Sequence, residues 1–123
     1  MTESNRVVIV DDNEDITSVF SDILEIGGFE VVGIGHDGKE AVSLYTKHSP
    51  DFIFLDVMMP IMNGVQALKE IKEKNPKANV IMVTADSRSE VIQELEKLNA
   101  TAIIIKPFKI EAVFETIKKI KVK

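Results

Sequence analysis

Five short apolar segments alternate with five amphipathic segments along this chain, and no other feature constrains its fold as strongly. The apolar segments are rich in Val and Ile, which is typical of strands. They lack the regular polar alternation of a strand with one face in solvent, so we expect them to be buried on both faces. These strands are predicted at residues 6–10, 30–34, 52–55, 79–84 and 101–105.

The segments between the strands have apolar residues at helical spacing. In the first of them, Ile16, Phe20 and Leu24 recur every four residues, and Gly27 follows as a C-terminal stop signal. A parallel sheet covered by helices on both sides is the architecture that such an alternation favours. The other helices are predicted before Pro50, at 64–74, at 89–98, and along a stripe from Ile110 to Ile120.

The composition excludes several classes of protein. The chain has 123 residues, enough for a single α/β domain over 1–123 and no effector domain. It has no Cys, so disulfides, thiol nucleophiles and thiolate metal sites are excluded. A net charge of −5 disfavours binding to nucleic acid. Neither a signal peptide nor an apolar run of about 20 residues is present, so we expect a cytoplasmic protein without membrane contact.

Charged and polar side chains end the predicted strands. Ligands of such sheets bind at the carboxyl ends of the strands, near the point where the strand order reverses. Three carboxylates, one hydroxyl and one ammonium are therefore expected to converge there. They belong to Asp11, Asp12, Asp56, Thr84 and Lys106.

This convergence predicts a metal site and a phosphoryl site. Two carboxylates about 4 Å apart repel each other by roughly 4 kcal/mol at an effective dielectric constant near 20. Oxygen ligands without His or Cys favour Mg²⁺, with Mn²⁺ as an alternative. Lys106 supplies an ammonium that suits a phosphoryl oxygen, and Thr84 supplies a hydroxyl donor. These groups around Asp56 point to phosphoryl transfer onto its carboxylate.

The chain resembles the receiver domains of response regulators. The resemblance is carried by VVIVDDN at 7–13, FLDVMMP at 54–60 with NG at 63–64, VTA at 83–85 and KPF at 106–108. It covers nearly the whole chain, and it implies a flavodoxin-like (βα)5 fold with strand order 2-1-3-4-5. The resemblance also implies a switch that turns over no external metabolite, similar to stand-alone chemotaxis regulators.

The resemblance assigns a role to each residue of the metal site. Asp56 would be the phosphoacceptor and a ligand of Mg²⁺. Asp12 would bind the metal directly, and Asp11 largely through water. The backbone carbonyl of Met58 would complete the protein ligands.

The phosphoryl side of the site has its own implied residues. Thr84 and Lys106 would contact the phosphoryl group, and the peptide bond between Lys106 and Pro107 would be cis. The donor would be a phosphohistidine on a histidine kinase or phosphotransfer protein, with acetyl phosphate as a small substitute. His36 and His48 are isolated in the sequence, and we expect them to be structural or surface residues away from the strand ends.

Two positions depart from the usual pattern of receiver domains, and two others flank the site. Receivers usually carry an aromatic residue where this chain has Ile103, so we expect no aromatic rotamer switch. Asn99 replaces the usual Gly before the fifth strand, and Asn tolerates a left-handed backbone. Met58 and Asp86 flank the site, and the resemblance to receiver domains implies that their positions tune phosphoryl lifetime. Because Met58 has no polar group to hold water, hydrolysis should depend chiefly on Asp86 and on solvent access.

The output is expected to be protein–protein binding. Phosphorylation would change the surface of the fourth helix, fifth strand and fifth helix, and an unknown downstream protein would read it. We expect a monomer, with a phosphorylation-linked dimer as the alternative.

Four other functions are less compatible with the sequence. Phosphohydrolases of the haloacid dehalogenase type carry a second acid two residues after the first, where this chain has Asn13. A flavodoxin-like FMN binder needs a Ser-, Thr- or Gly-rich loop after the first strand, and a P-loop nucleotidase needs its own Gly-rich motif. A phosphorylation-independent receiver is the closest rival, although all five site residues are present.

Overall fold

The computed structural model describes residues 5–59 and 61–122, and strands and helices alternate strictly through them. No helix in these two ranges is long and apolar enough to cross a bilayer. The strands are β1 (Arg6–Val10), β2 (Glu30–Gly35), β3 (Phe52–Asp56), β4 (Val80–Thr84) and β5 (Ala102–Ile105). The helices are α1 (Glu14–Ile26), α2 (Gly38–His48), α3 (Gly64–Lys74), α4 (Ser89–Lys97) and α5 (Ile110–Val122).

The strands form one parallel sheet in the order β2-β1-β3-β4-β5, which confirms the predicted fold class and strand order. The chain builds outward from β1 to β2 and then returns to the other side of β1 with β3. The strand order therefore reverses between β1 and β3, where a doubly wound sheet places its ligand site. In the register of the sheet, Val10 pairs with Leu55, and Asp56 pairs with Val83.

Burial follows the position of each strand in the sheet. All residues of β3 and β4 are buried, as expected of central strands with helices on both faces. The expectation of full burial is wrong for the edge strands. Most of β2 is half-buried or exposed, and Ile105 in β5 is 37% exposed. An edge strand lacks a neighbour on one side, so apolar sequence alone does not bury it.

Two apolar clusters hold the helices against the two faces of the sheet. On one face, Leu68 of α3 and Leu95 of α4 are completely buried. On the other, Phe20 of α1 packs against Phe54 with ring centroids 4.9 Å apart, and Val113 of α5 lies in the same cluster. Each fully buried side chain of this size contributes about 1.5–3 kcal/mol, so both helical layers are fixed to the sheet.

Asn and Asp side chains cap the N-termini of three helices, directly after the loops at the ligand-binding edge of the sheet. Asn13 caps α1 by accepting hydrogen bonds from the backbone N–H groups of Asp15 and Ile16. Asp37 and Asn63 cap α2 and α3 in the same way. Loss of such a cap costs about 1 kcal/mol, so these side chains fix the helix starts on the ligand-binding edge.

The turn between α4 and β5 is closed by Asn99, whose backbone is left-handed at φ +66°. This matches the expectation that Asn substitutes there for the usual Gly, because Asn is enriched in this region of backbone space. The turn returns the chain to the sheet, and Thr101, directly before β5, donates its backbone N–H to the carbonyl of Val80 at 2.9 Å.

Candidate functional site

Three carboxylates meet where the strand order reverses. One carboxylate oxygen from each of Asp11, Asp12 and Asp56 lies within 4.8 Å of the others. Asp11 and Asp56 are 5% and 7% exposed, whereas Asp12 is exposed. The adjacency of β1 and β3 brings these residues together, because both strands end at the same edge of the sheet. The site is therefore a partly buried acidic cluster that opens to solvent on the side of Asp12.

Lys106 joins this cluster from the other half of the chain. Its Nζ lies 2.8 Å from Oδ2 of Asp11 and 3.7 Å from Oδ2 of Asp56. Burial opposes the charged form of Lys106, but the hydrogen bond to Asp11 and the charges of Asp56 and Asp11 outweigh it and raise its pKa. The ammonium is therefore held in its charged form between two carboxylates.

Asp56 remains electrostatically strained in spite of this partner. Its pKa is raised from 3.8 to about 6, first by burial and then by the charge of Asp11. The charge of Lys106 and a hydrogen bond from the backbone N–H of Met58 act in the opposite direction without cancelling the shift. Additional positive charge would relieve this cluster of hard oxygen donors, which therefore fits a divalent cation such as Mg²⁺.

Both carboxylate oxygens of Asp11 already have partners. Oδ1 accepts a hydrogen bond from the backbone N–H of Asn13 at 3.0 Å, and Oδ2 accepts from Lys106. Asp12 has greater freedom, because it lines an open acidic depression of about 640 Å³ together with residues 13–15 and His36. The expectation that His36 lies away from the strand ends that carry the site residues is wrong, since it lines the same depression as Asp12. It is a neighbour of the site that sequence reasoning missed.

Thr84 ends β4 next to the acidic cluster. Its side chain is completely buried, and its Oγ1 accepts a hydrogen bond of 2.9 Å from the backbone N–H of Asp86. Its carbonyl accepts the backbone N–H of Lys106 at 2.8 Å. Thr84 directly follows Val83, which pairs with Asp56 across the sheet. Thr84, which carries the hydroxyl, and Lys106, which carries the ammonium, are therefore joined by one backbone hydrogen bond. The Lys106-Pro107 peptide bond is cis.

Gly64, the first residue of α3, packs against the backbone at the end of β3 and must be a glycine. Gly64 donates its backbone N–H to the carbonyl of Val57 at 2.8 Å. A Cβ atom at Gly64 would overlap the backbone carbonyl oxygen of Asp56. The side chain of Met58 points outward and is 69% exposed, so its backbone is the part that faces Asp56.

The remaining predicted positions lie outside the acidic cluster. Ile103 is half-buried and packs against the apolar cluster on the α4 side of the sheet. It also lines an open groove of about 470 Å³ along β5 and α5. Asp86 lies in the loop between β4 and α4, where Arg88 binds its carboxylate. The sequence contains no signal for this pairing beyond the presence of two opposite charges.

A parallel five-stranded sheet of this order, with carboxylates and a lysine at the reversal point, is the architecture of flavodoxin-like signalling domains. The chain matches the response regulator receiver domain over residues 7–118. It belongs to this family. Receiver domains are phosphoacceptor signalling switches that bind Mg²⁺ at an acidic pocket and interact with histidine kinases and downstream effectors.

Several chemotaxis proteins are similar to the chain over nearly its full length. It is 39% identical over 116 residues to the chemotaxis protein CheY of Bacillus subtilis (strain 168), covering 94% of this chain and 97% of that protein. Identity to the chemotaxis protein CheY of Thermotoga maritima is 37% over 115 residues, with 94% and 96% covered. Among solved structures, the CheX-CheY-BeF3-Mg+2 complex from Borrelia burgdorferi contains a chain that matches with a TM-score of 0.93 and 30% identity. That match covers 97% of this chain and 90% of the other.

Proposed function

We propose that Asp56 accepts a phosphoryl group from a phosphohistidine on a histidine kinase or phosphotransfer protein, in a reaction that depends on Mg²⁺. The observation that carries this proposal is the placement of the Asp56 carboxylate, which is buried and lies beside Asp11, Asp12 and the ammonium of Lys106. A structural acid at a strand end would have no need of two further acids and a lysine from two other loops.

The transfer itself requires little more than positioning and charge. An Oδ atom of Asp56 attacks the phosphorus, the phosphorus–nitrogen bond of the donor breaks, and the electron pair of that bond returns to the imidazole. Lys106 lies 3.7 Å from Asp56, where its ammonium can hold a phosphoryl oxygen. The buried hydroxyl of Thr84 has a proton to donate to another phosphoryl oxygen, because its contact with Asp86 uses it as an acceptor.

The acidic cluster would hold the metal. Asp11, Asp12, Asp56 and the backbone carbonyl of Met58 are the proposed ligands, with Asp11 acting largely through water because both its oxygens have protein partners. When bound, Mg²⁺ supplies positive charge that offsets the negative charge of the carboxylates and the phosphoryl oxygens. Mn²⁺ has the same preference for oxygen ligands and is expected to replace it.

The proposed output is a change in the surface formed by α4, β5 and α5. Lys106 directly follows β5, and its backbone N–H donates a hydrogen bond to the carbonyl of Thr84. Movement of Lys106 or Thr84 would therefore be transmitted to β5. The groove along β5 and α5 mixes apolar side chains such as Ile103 with charged ones such as Lys109 and Glu115. Such a surface suits a protein partner, and we propose that the single domain acts by binding another molecule.

The decisive experiment compares the chain with its Asp56→Asn variant after incubation with Mg²⁺ and acetyl phosphate. We expect a base-labile phosphate on the original chain and none on the variant. Asp22→Asn, which removes an exposed carboxylate of α1, is the matched control and should still be labelled. Phosphate on both the original chain and Asp56→Asn, or on neither, would reject Asp56 as the acceptor.

The output surface has a separate test. Beryllofluoride with Mg²⁺ mimics the phosphoryl group, and it should shift the backbone amide NMR signals of residues 103–116 in the original chain. The same addition to Asp56→Asn should leave these signals unchanged. Shifts confined to the loops around Asp56 would contradict the proposed output surface while leaving the acceptor assignment intact.

A further inference from the structure

The start of α2 lies in backbone contact with the loop between β3 and α3. Gly38, the first residue of α2, donates its backbone N–H to the carbonyl of Met62 at 2.8 Å. A Cβ atom at Gly38 would overlap that carbonyl oxygen and would lie 2.9 Å from the carbonyl oxygen of Asn63. Non-bonded heavy atoms attract best at about 3.5–4.0 Å, so any side chain at position 38 would force α2 and the loop apart. Ala is the better helix former, and the glycine is therefore required by this contact and not by the helix.

The contact continues through the start of α3 to the backbone of Asp56. Asn63 caps α3 by accepting the backbone N–H of Gln66 at 3.0 Å, and Gly64 follows it. Gly64 donates its N–H to the carbonyl of Val57, and a Cβ atom at Gly64 would overlap the carbonyl oxygen of Asp56. The start of α2, the start of α3 and the end of β3 are therefore backbone segments in direct contact, one against the next.

Side chains also join this loop to α2. Met59 and Met62 are partly buried and pack against the apolar cluster to which Ala41 and Tyr45 of α2 belong. The side chain of Met58, in contrast, is 69% exposed and gives its own backbone little support. The position of the Met58 carbonyl therefore depends on the loop residues around it, and these rest on α2.

We propose that Gly38 is a positioning residue for the metal site, because it lets α2 begin against Met62 and so holds the loop that presents the carbonyl of Met58 to Mg²⁺. This inference rests on the proposed function, in which that carbonyl is a metal ligand. Mg²⁺ requires nearly octahedral geometry and tolerates little displacement of a ligand. Groups that orient metal ligands typically change the affinity by about tenfold to hundredfold when they are replaced.

The test compares Mg²⁺ affinity in two glycine variants that both strain the packing of α2. Gly38→Ala introduces the overlap with Met62. Gly33→Ala is its matched control, because the nearest neighbours of a Cβ atom at Gly33 are the side chains of Leu44 and His48, both in α2. Titration of the backbone amide NMR signals with Mg²⁺ gives the dissociation constant of each protein. We expect Gly38→Ala to raise it by about tenfold or more and Gly33→Ala to leave it unchanged.

The same spectra give a readout that needs no metal. In EDTA, the amide signals of Val57, Met58 and Met62 should shift in Gly38→Ala and stay in place in Gly33→Ala. Thermal unfolding of each variant checks that it is folded before the titration.

A second pair of variants loosens the start of α2 without any overlap, and it decides the question if Gly38→Ala does not fold. Asp37 caps α2 by accepting the backbone N–H of Glu40 at 2.8 Å. Asp37→Ala removes this cap, whereas Asp37→Asn keeps an acceptor and removes only the charge. Asp37→Ala should therefore bind Mg²⁺ more weakly than Asp37→Asn, by up to about fivefold, the factor that corresponds to a cap of about 1 kcal/mol.

The outcomes separate this inference from the proposed function. If Mg²⁺ shifts no signals of the original chain, the proposed metal site fails and the role of Gly38 fails with it. If the original chain binds Mg²⁺ and a folded Gly38→Ala binds it equally tightly, the role of Gly38 is wrong while the proposed function stands. Equal affinities of the two Asp37 variants have the same meaning if Gly38→Ala does not fold. An equal loss of affinity in Gly33→Ala would show that the general packing of α2 sets the affinity, which also overturns the inference.

Discussion

The raised pKa of Asp56 predicts that replacing its carboxylate stabilises the folded protein. Asn has the shape of Asp and mimics its protonated form, so Asp56→Asn removes the charge without leaving a cavity. The side chain is only 9% exposed, and solvent therefore screens its charge poorly. In the absence of divalent cations, the variant should have a higher free energy of unfolding than the original chain at neutral pH.

The magnitude and the sign follow from the two pKa values. The pKa of Asp56 rises from 3.8 in the unfolded chain to about 6 in the folded one. The unfolded chain therefore loses its proton first as pH rises, and the folded state becomes relatively less stable between these two values. At 1.36 kcal/mol per pKa unit, the penalty reaches about 3 kcal/mol at pH 7.5 and is about 1 kcal/mol at pH 4.5. For a domain of this size, the larger value corresponds to a rise in Tm of about 10 °C.

Urea unfolding of both proteins in EDTA, at pH 7.5 and at pH 4.5, measures this difference. Asp22→Asn is the matched control, and it should change the free energy of unfolding little at either pH because its carboxylate is exposed. An Asp56→Asn variant that is no more stable than the original chain at pH 7.5 would contradict a charge penalty at this site. A gain that is equally large at pH 4.5 would refute it as well, because the stabilisation would then not come from the charge.

Three further predictions concern the metal and the backbone. Mg²⁺ at ten times its dissociation constant should stabilise the original chain by about 1.4 kcal/mol. In thermal unfolding, Mg²⁺ should raise the Tm of Asp12→Asn less than that of the original chain. An equal rise in Tm would contradict the role of Asp12 as a metal ligand. Gly64→Ala should lower the free energy of unfolding by about 3 kcal/mol or more, because its Cβ overlaps backbone. Gly28→Ala, with φ +93° and open space around it, is its control and should cost about 1–2 kcal/mol in urea unfolding. Ile61 is left-handed at φ +68° and 83% exposed, so Ile61→Gly should stabilise the fold by about 1 kcal/mol. The control is Ile26→Gly at the end of α1, which should destabilise the fold by a similar amount. A loss of stability in Ile61→Gly would show that the left-handed backbone at this position is not strained.

The central part of the fold and the acidic cluster are predictable from the sequence for one physical reason. Parallel strands all end at the same edge, so acids that follow β1 and β3 meet whatever the details of the loops. Asp11 and Asp56 are close for this reason, and Lys106 reaches them from the end of β5. The resemblance to receiver domains adds the strand order, which periodicity alone leaves open.

The features that the sequence does not predict depend on loop conformation. His36 lies beside the acidic cluster because β2 extends to Gly35, one residue beyond the predicted end of that strand. The ion pair between Arg88 and Asp86 requires a particular turn after β4, and two charges two residues apart do not specify one. The exposure of Ile105 follows from the edge position of β5. A strand of isoleucines has the same sequence pattern in the centre of a sheet as at its edge.

The contact between Lys106 and Asp11 joins residues that are 95 positions apart in the chain. During synthesis on a ribosome, β1, β3 and their acids emerge long before Lys106 does. A nascent chain at that stage carries the repulsion among Asp11, Asp12 and Asp56 without the ammonium that offsets it. This repulsion is partly offset only when β5 has joined the sheet, so a chain that stops short of β5 is left with an acidic cluster that lacks its lysine.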